Sequence, residues 1–113
     1  PLTLIVPRRP SLPANLSPDD TIAVRVPDHA VARALIRAAG GAVAATSANV
    51  SGQPPARSAD EAVAALAGRA AAVVDDGPSP GGRASTIVDC TAQPPVILRA
   101  GPLSAAELGV AEA

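Results

Sequence analysis

The chain has 113 residues, a length that suits one domain and rules out two. Apolar residues make up 48% and charged residues 17%, which excludes compositional disorder, and a net charge of -1 excludes indiscriminate nucleic-acid binding. Phe, Tyr, Trp and Met are all absent, so the core is confined to Ala, Val, Leu and Ile and no aromatic platform exists for stacking single-stranded bases.

Leu2-Thr3-Leu4-Ile5-Val6 is short, apolar and closed by Pro7, the pattern of a buried strand. Pro10, Pro13 and Pro18 make residues 8–20 an exposed loop. Residues 21–26 alternate enough for a strand, which Pro27 stops. Asp28 is the expected N-cap of a helix running to about Ala39. Val31, Ala32, Leu35, Ile36 and Ala39 share one face of it, Arg33 and Arg37 lie on the other, and Gly40-Gly41 ends it. Residues 42–46 read as a central strand and residues 47–57 as a Ser/Asn/Gly/Pro loop. Ser58-Ala59-Asp60-Glu61 is a capping box that opens a helix to about Leu66. Residues 71–75 read as another buried strand, followed by a Gly/Pro turn to Arg83. Residues 85–89 and 96–99 form a strand pair joined through Gln93-Pro94-Pro95, and Ser104 to Glu107 supplies a second capping box for a short helix. Strands mixed with two or three helices predict an α/β layered domain. A chain that enters an apolar strand directly from Pro1, with no Met, is expected to be a fragment or a processed piece.

The chemistry-bearing residues are few. All nine basic residues are Arg, so the Lys common at phosphoryl and adenylyl transfer sites is missing. A single Cys excludes an internal disulfide framework and a multi-Cys zinc site. No run approaches the roughly 18 apolar residues that span a bilayer, no signal peptide is visible, and a cytoplasmic setting is the default expectation. His29, the only His, reads as a surface residue near a helix start, and Cys90 as a small core residue with no base beside it. Asp75 and Asp76 fit turn chemistry at least as well as a metal site. No catalytic side chain and no metal ligand is assigned. Three loops stand out: residues 46–54 and 78–86, rich in hydroxyl donors beside strands, and residues 98–101, where Arg99 ends a strand. Arg25, inside an apolar strand, calls for a counter-charge, either an anionic ligand or a carboxylate such as Asp89.

Four stretches occur in order: Thr21-Ile22-Ala23-Val24-Arg25-Val26-Pro27, Thr46-Ser47-Ala48-Asn49-Val50-Ser51-Gly52, Ser85-Thr86-Ile87-Val88-Asp89 and Val96-Ile97-Leu98-Arg99-Ala100-Gly101. Together they resemble the YrdC-like family of threonylcarbamoyl-AMP synthases, and Pro1-Leu2-Thr3-Leu4 is similar to the end of that family's Pro-Gly-Pro-x-Thr stretch. The resemblance covers nearly all of residues 1–113, as the C-terminal half to two-thirds of the family domain. It implies a twisted, open, mixed α/β sheet with flanking helices, the N-terminal part missing.

The resemblance also implies an activity. Family members condense L-threonine, bicarbonate and ATP into threonylcarbamoyl-AMP, releasing pyrophosphate, and a partner transferase complex passes the group to adenosine 37 of tRNA. Thr21, Ser47, Asn49, Pro55 (through its backbone) and Arg99 are the implied ATP contacts. Arg25, Ala45 and Ser85 are the implied threonine pocket, and Mg²⁺ is expected on the ATP. Bound threonine brings its own amine, so positioning and charge stabilisation carry the reaction. The family's Lys-x-Arg stretch has no counterpart here, so the chain alone is expected to be nearly inactive. The alternatives are a double-stranded RNA or tRNA-binding module and the YrdC-like domain of a carbamoyltransferase.

Overall fold

The computed structural model describes residues 1–80 and 82–112. Its elements, in chain order, are β1 (Leu2–Pro7), a 3-10 turn (Ala14–Leu16), β2 (Thr21–Val24), α1 (Ala30–Ala38), α2 (Ala59–Leu66), β3 (Thr86–Asp89), β4 (Val96–Arg99), α3 (Ala105–Leu108) and β5 (Ala111–Glu112). They build an α/β domain around one mixed five-stranded sheet of order β2-β1-β3-β4-β5. β1 pairs antiparallel with β2 and parallel with β3; β3 pairs antiparallel with β4, and β4 parallel with β5. The parallel step from β1 to β3 is the connection that carries both longer helices, as a parallel crossover requires.

Side chains alternate along each strand, so the registers sort residues onto two faces. Leu2 opposite Thr86, Leu4 opposite Val88 and Val24, and Val88 opposite Ile97 make one face. Thr3 opposite Ile87, Ile5 opposite Ala23 and Asp89, and Thr21 opposite Pro7 make the other. The best-buried residues are Thr86 (0% exposed), Val88 (3%), Ile97 (8%) and Ser85 (8%), which centres the core on β3 and its neighbours.

The long loop between β1 and β2 is held by one side chain. Arg8 donates to Asp19 O (3.3 Å), Leu12 O (3.3 Å) and Asp20 Oδ1 (3.3 Å), while its backbone N–H donates to Asp20 O (2.7 Å). These bonds gather a segment in which Pro10, Pro13 and Pro18 each lack a backbone donor.

Helix starts follow side-chain chemistry. The expected cap of α1, Asp28, is instead drawn to Arg33 (Nη1 to Oδ1, 3.2 Å), and His29 takes the capping place by accepting from Ala32 N at Nδ1 (3.3 Å). Ser58 caps α2, but Glu61 reaches past it to the backbone N–H of Arg57 (2.7 Å), so only half of the expected box forms. At α3 both halves are present between Ser104 and Glu107.

Two expected strands, residues 42–46 and 71–75, are not strands. A strand exists by exchanging backbone bonds with a neighbour, and neither segment pairs with the sheet. Their Ala-rich side chains bury too little to hold them down: Val43 is 48%, Val73 45% and Val74 59% exposed. Cys90 is likewise exposed and not a core residue: it lies just past the end of β3, with its N–H still donating to Ile5 O (3.0 Å).

The chain after β4 is locked onto β3 by Thr86. Its Oγ1 donates to Leu103 O (2.9 Å) and accepts from Leu103 N (3.0 Å). This closeness requires glycine at 101, where a Cβ would overlap Thr86 N and the Ser85 carbonyl carbon. Gly101→Ala is expected to destabilise the protein by about 1–3 kcal/mol, read as a lowered urea midpoint with unchanged slope. A midpoint equal to the parent's would show that the 101–103 turn relaxes freely.

Candidate functional site

The best-defined polar cluster is built on the Thr3 face of the sheet. Arg99 ends β4, and the ladder carries an irregularity there: Val88 faces Ile97 while the preceding residue, Ile87, faces Arg99. One residue, Leu98, is therefore extra on β4, and it is 54% exposed. Without that bulge, alternation would put Arg99 on the same side as Ile97. With it, Arg99 joins the Ile87 side, which is how bulges re-aim side chains near functional sites. There its guanidinium forks onto the Ser85 carbonyl, with Nε at 3.1 Å and Nη2 at 2.9 Å, and Nη2 also donates to Ser85 Oγ at 3.2 Å. Thr3 Oγ1 lies 2.7 Å from Ser85 Oγ. The product is a fixed cation beside two hydroxyls, which suits an anionic ligand oxygen.

Thr21 opens β2 on the same face. Its N–H (2.8 Å) and hydroxyl (2.6 Å) both donate to Asp19 Oδ1. These two bonds hold the Asp19 carboxyl below the usual carboxylate range, the hydroxyl contributing most. The same Asp-x-Thr arrangement recurs where Thr91 donates to Asp89 Oδ1 from N (2.8 Å) and Oγ1 (2.6 Å), lowering Asp89 for the same reason. Asp89 thus serves its own turn, and of the two counter-charges open to Arg25, an anionic ligand or a carboxylate such as Asp89, the carboxylate is not supplied by Asp89.

Arg25 stands just past the end of β2, exposed, and has no ion pair among the described residues. It lines a hollow of roughly 260 Å³ with Leu2, Leu4, Val24 and Val26. No hydrogen bond or ion pair among the described residues joins it to the Ser85–Arg99 cluster.

The loop at residues 46–54 is organised by Asn49. Its Nδ2 donates to Val50 O (2.9 Å) and Gln53 O (2.8 Å), Thr46 Oγ1 accepts from Ala48 N (3.2 Å), and Ala48 takes a positive φ of 53°. Asn49 Oδ1 is buried and has no partner among the described residues, an acceptor left open. Asn49 and Pro55 line one hollow of roughly 320 Å³ together with Gln53, Pro54 and Ala56. Ser47 and Ala45 are exposed, Ala45 on the unpaired stretch before the loop.

The structure therefore joins Ser85 to Arg99 and Asn49 to Pro55, sets Thr21 on the cluster's face, and leaves Arg25 at a separate hollow. Asp75 is used by its own turn, accepting from Gly77 N (2.9 Å), and Asp76 lies 3.6 Å from His29 Nε2. No group of three or more His, Cys, Asp or Glu able to hold a metal occurs among the described residues. Sequence reasoning missed Thr3 and Asp19. The signals were a lone hydroxyl in an apolar strand and the Asp-x-Thr spacing.

The Sua5/YciO/YrdC family model, described as telomere recombination, matches residues 1–101. The chain belongs to this family. Among its relatives, the threonylcarbamoyl-AMP synthase of Bacillus subtilis is 43% identical over 105 residues, covering 91% of this chain and 30% of that protein. The threonylcarbamoyl-AMP synthase of Schizosaccharomyces pombe is 36% identical over 113 residues, covering 96% of this chain and 28% of that protein. This Sua5/YciO/YrdC chain thus spans about a third or less of the length of these relatives. A crystal structure of Pyrococcus abyssi Sua5 complexed with L-threonine matches with TM-score 0.90 and 35% identity, over 99% of this chain and 35% of that one. Within the family fold, no helix among the described residues is long and apolar enough to cross a membrane.

The Asp19–Thr21 bonds form with the ionised carboxylate, so a lowered pKa means stability that is present above about 3.8 and lost as pH falls through the folded value. Asp19→Asn is expected to lower the urea midpoint near neutral pH and to converge with the parent once pH falls below the lowered folded value of Asp19. Parallel curves over the whole acid range would show that Asp19 does not hold Thr21 in solution.

Proposed function

We propose that this chain carries part of the ligand site of an L-threonylcarbamoyladenylate synthase. The carrying observation is its match, over 99% of its length, to a Sua5 that was crystallised with L-threonine. The fixed Arg99–Ser85 pair on one sheet face, with Thr21 on the same face, supports the reading. In this reaction the amine of L-threonine combines with bicarbonate to give a carbamate and water. A carbamate oxygen then attacks the α-phosphorus of ATP, and pyrophosphate leaves. No side-chain nucleophile is required. Arg99, Thr21, Ser47, Asn49 and the Pro55 backbone serve the nucleotide, while Arg25, Ala45 and Ser85 serve the amino acid.

Arg99 and Arg25 are permanent cations and offset the charge that develops on phosphate and carboxylate oxygens. The assigned residues include no carboxylate, so magnesium fits this site only as MgATP, held by the triphosphate. The product passes to a transferase that modifies adenosine 37 of tRNA, a role that suits a cytoplasmic protein.

The test is threonine-dependent pyrophosphate release from ATP and bicarbonate by the protein as its gene encodes it. The full protein is expected to turn over and the 113 residues alone to release almost none, because they span so little of the relatives and contain no Lys. Arg99→Ala in the full protein is expected to lose on the order of 10²-fold in kcat/KM. Release that is independent of L-threonine would overturn the assignment.

A further inference from the structure

Thr3 is a hydroxyl in the otherwise apolar run of β1, and its closest described polar contact is Ser85 Oγ at 2.7 Å. We propose that Thr3 is a positioning residue, whose hydroxyl donates to Ser85 Oγ and thereby turns the Ser85 proton toward an anionic oxygen of the bound amino acid. The inference rests on the threonine reading above and assigns a residue outside that set.

The argument is a proton count. Two hydroxyls carry two protons, and one O···O contact uses only one of them. Arg99 Nη2 can only donate, so it occupies a lone pair on Ser85 Oγ. The Arg99 charge is held in place by its fork on the Ser85 carbonyl, and it repels the Ser85 proton. If Ser85 gave its proton to Thr3, the proton of the half-buried Thr3 would have no described partner. If Thr3 donates, Thr3 is satisfied, and the Ser85 proton is the one held in reserve. Ser85 is only 8% exposed, so a reserved proton there is poorly solvated and gains most from a ligand acceptor. The adjacent cation favours an anionic one, such as a carboxylate. A carboxylate and a phosphate share this chemistry, and separate titrations distinguish them.

The experiment uses the protein as its gene encodes it, with calorimetric titration of L-threonine and, separately, of MgATP. Thr3→Val keeps the shape of the side chain and removes the hydroxyl, Thr3→Ser keeps the hydroxyl, and Thr3→Ala is a second deletion should Thr3→Val fold poorly. Thermal midpoints are read for all of them. Thr3→Val, or Thr3→Ala in its place, is expected to weaken L-threonine binding about tenfold while MgATP stays within about twofold. Thr3→Ser is expected to bind both within about twofold of the parent. L-threonine affinity unchanged in Thr3→Val overturns the inference, as does a Thr3→Ser variant no better than Thr3→Val. A loss confined to MgATP overturns the amino-acid assignment. A parent protein that binds no L-threonine overturns the functional reading together with this inference, whereas the preceding outcomes leave that reading standing.

Discussion

Ser85 and Thr86 are adjacent residues whose side chains point to opposite faces of the sheet, and between them they join three strands. Thr86 lies entirely out of water and clamps the chain that leaves β4 through both polar groups of Leu103. Its own N–H donates to Pro1 O (2.7 Å), tying in the start of β1. On the other face, Ser85 meets Thr3 from β1 and Arg99 from β4. Buried polar groups are costly unless bonded, and here the bonding satisfies several at once while fixing the spacing of the strands. Core and candidate site therefore share one dipeptide.

The site's electrostatics follow from the choice of arginine. A chain with no Lys must make its positive charge from guanidinium groups, which are planar and fork onto oxygen acceptors. Arg99 spends two donors on the Ser85 carbonyl, and this costs mobility but sets its direction. Arg8 uses the same chemistry to hold a loop, and Arg33 to hold Asp28 beside the start of α1. Arg25 is the contrast. It stands exposed over an apolar hollow without an ion pair among the described residues, so its charge remains available to a ligand.

The small-residue composition explains what is thin about the fold. Val88 and Ile97 are the only hydrophobic residues among the described ones that are buried, and neither is sealed completely. The apolar stripe expected on α1 is realised only in part: Ala32 and Ile36 are partly covered, while Val31, Leu35 and Ala39 stay exposed. Polar clamps and caps consequently carry more of the local order than apolar packing does. Asp19, Asp89 and Glu107 show it, since each is held in its ionised form by neighbouring hydroxyl and backbone donors.

Elements governed by near neighbours in sequence were legible without coordinates. Pro7 closes the first strand, Ser58 and Ser104 cap their helices, and β3 and β4 pair as their β-branched runs require, whereas β2 stops at Val24, short of Pro27. The family resemblance was legible too, because its motifs are local. Whether residues 42–46 and 71–75 become strands was decided by tertiary structure alone, since a strand depends on a neighbour that its own sequence does not encode. The candidate site divides in the same way. The residue types of Ser85, Arg99 and Asn49 were readable, but the extra residue at Leu98 turns Arg99 to the other face of the sheet, and only the register reveals it. Composition and local pattern determined which chemistry this protein can offer. Strand pairing between distant segments decided where that chemistry is assembled, because a one-residue change of register moves a side chain from one face to the other.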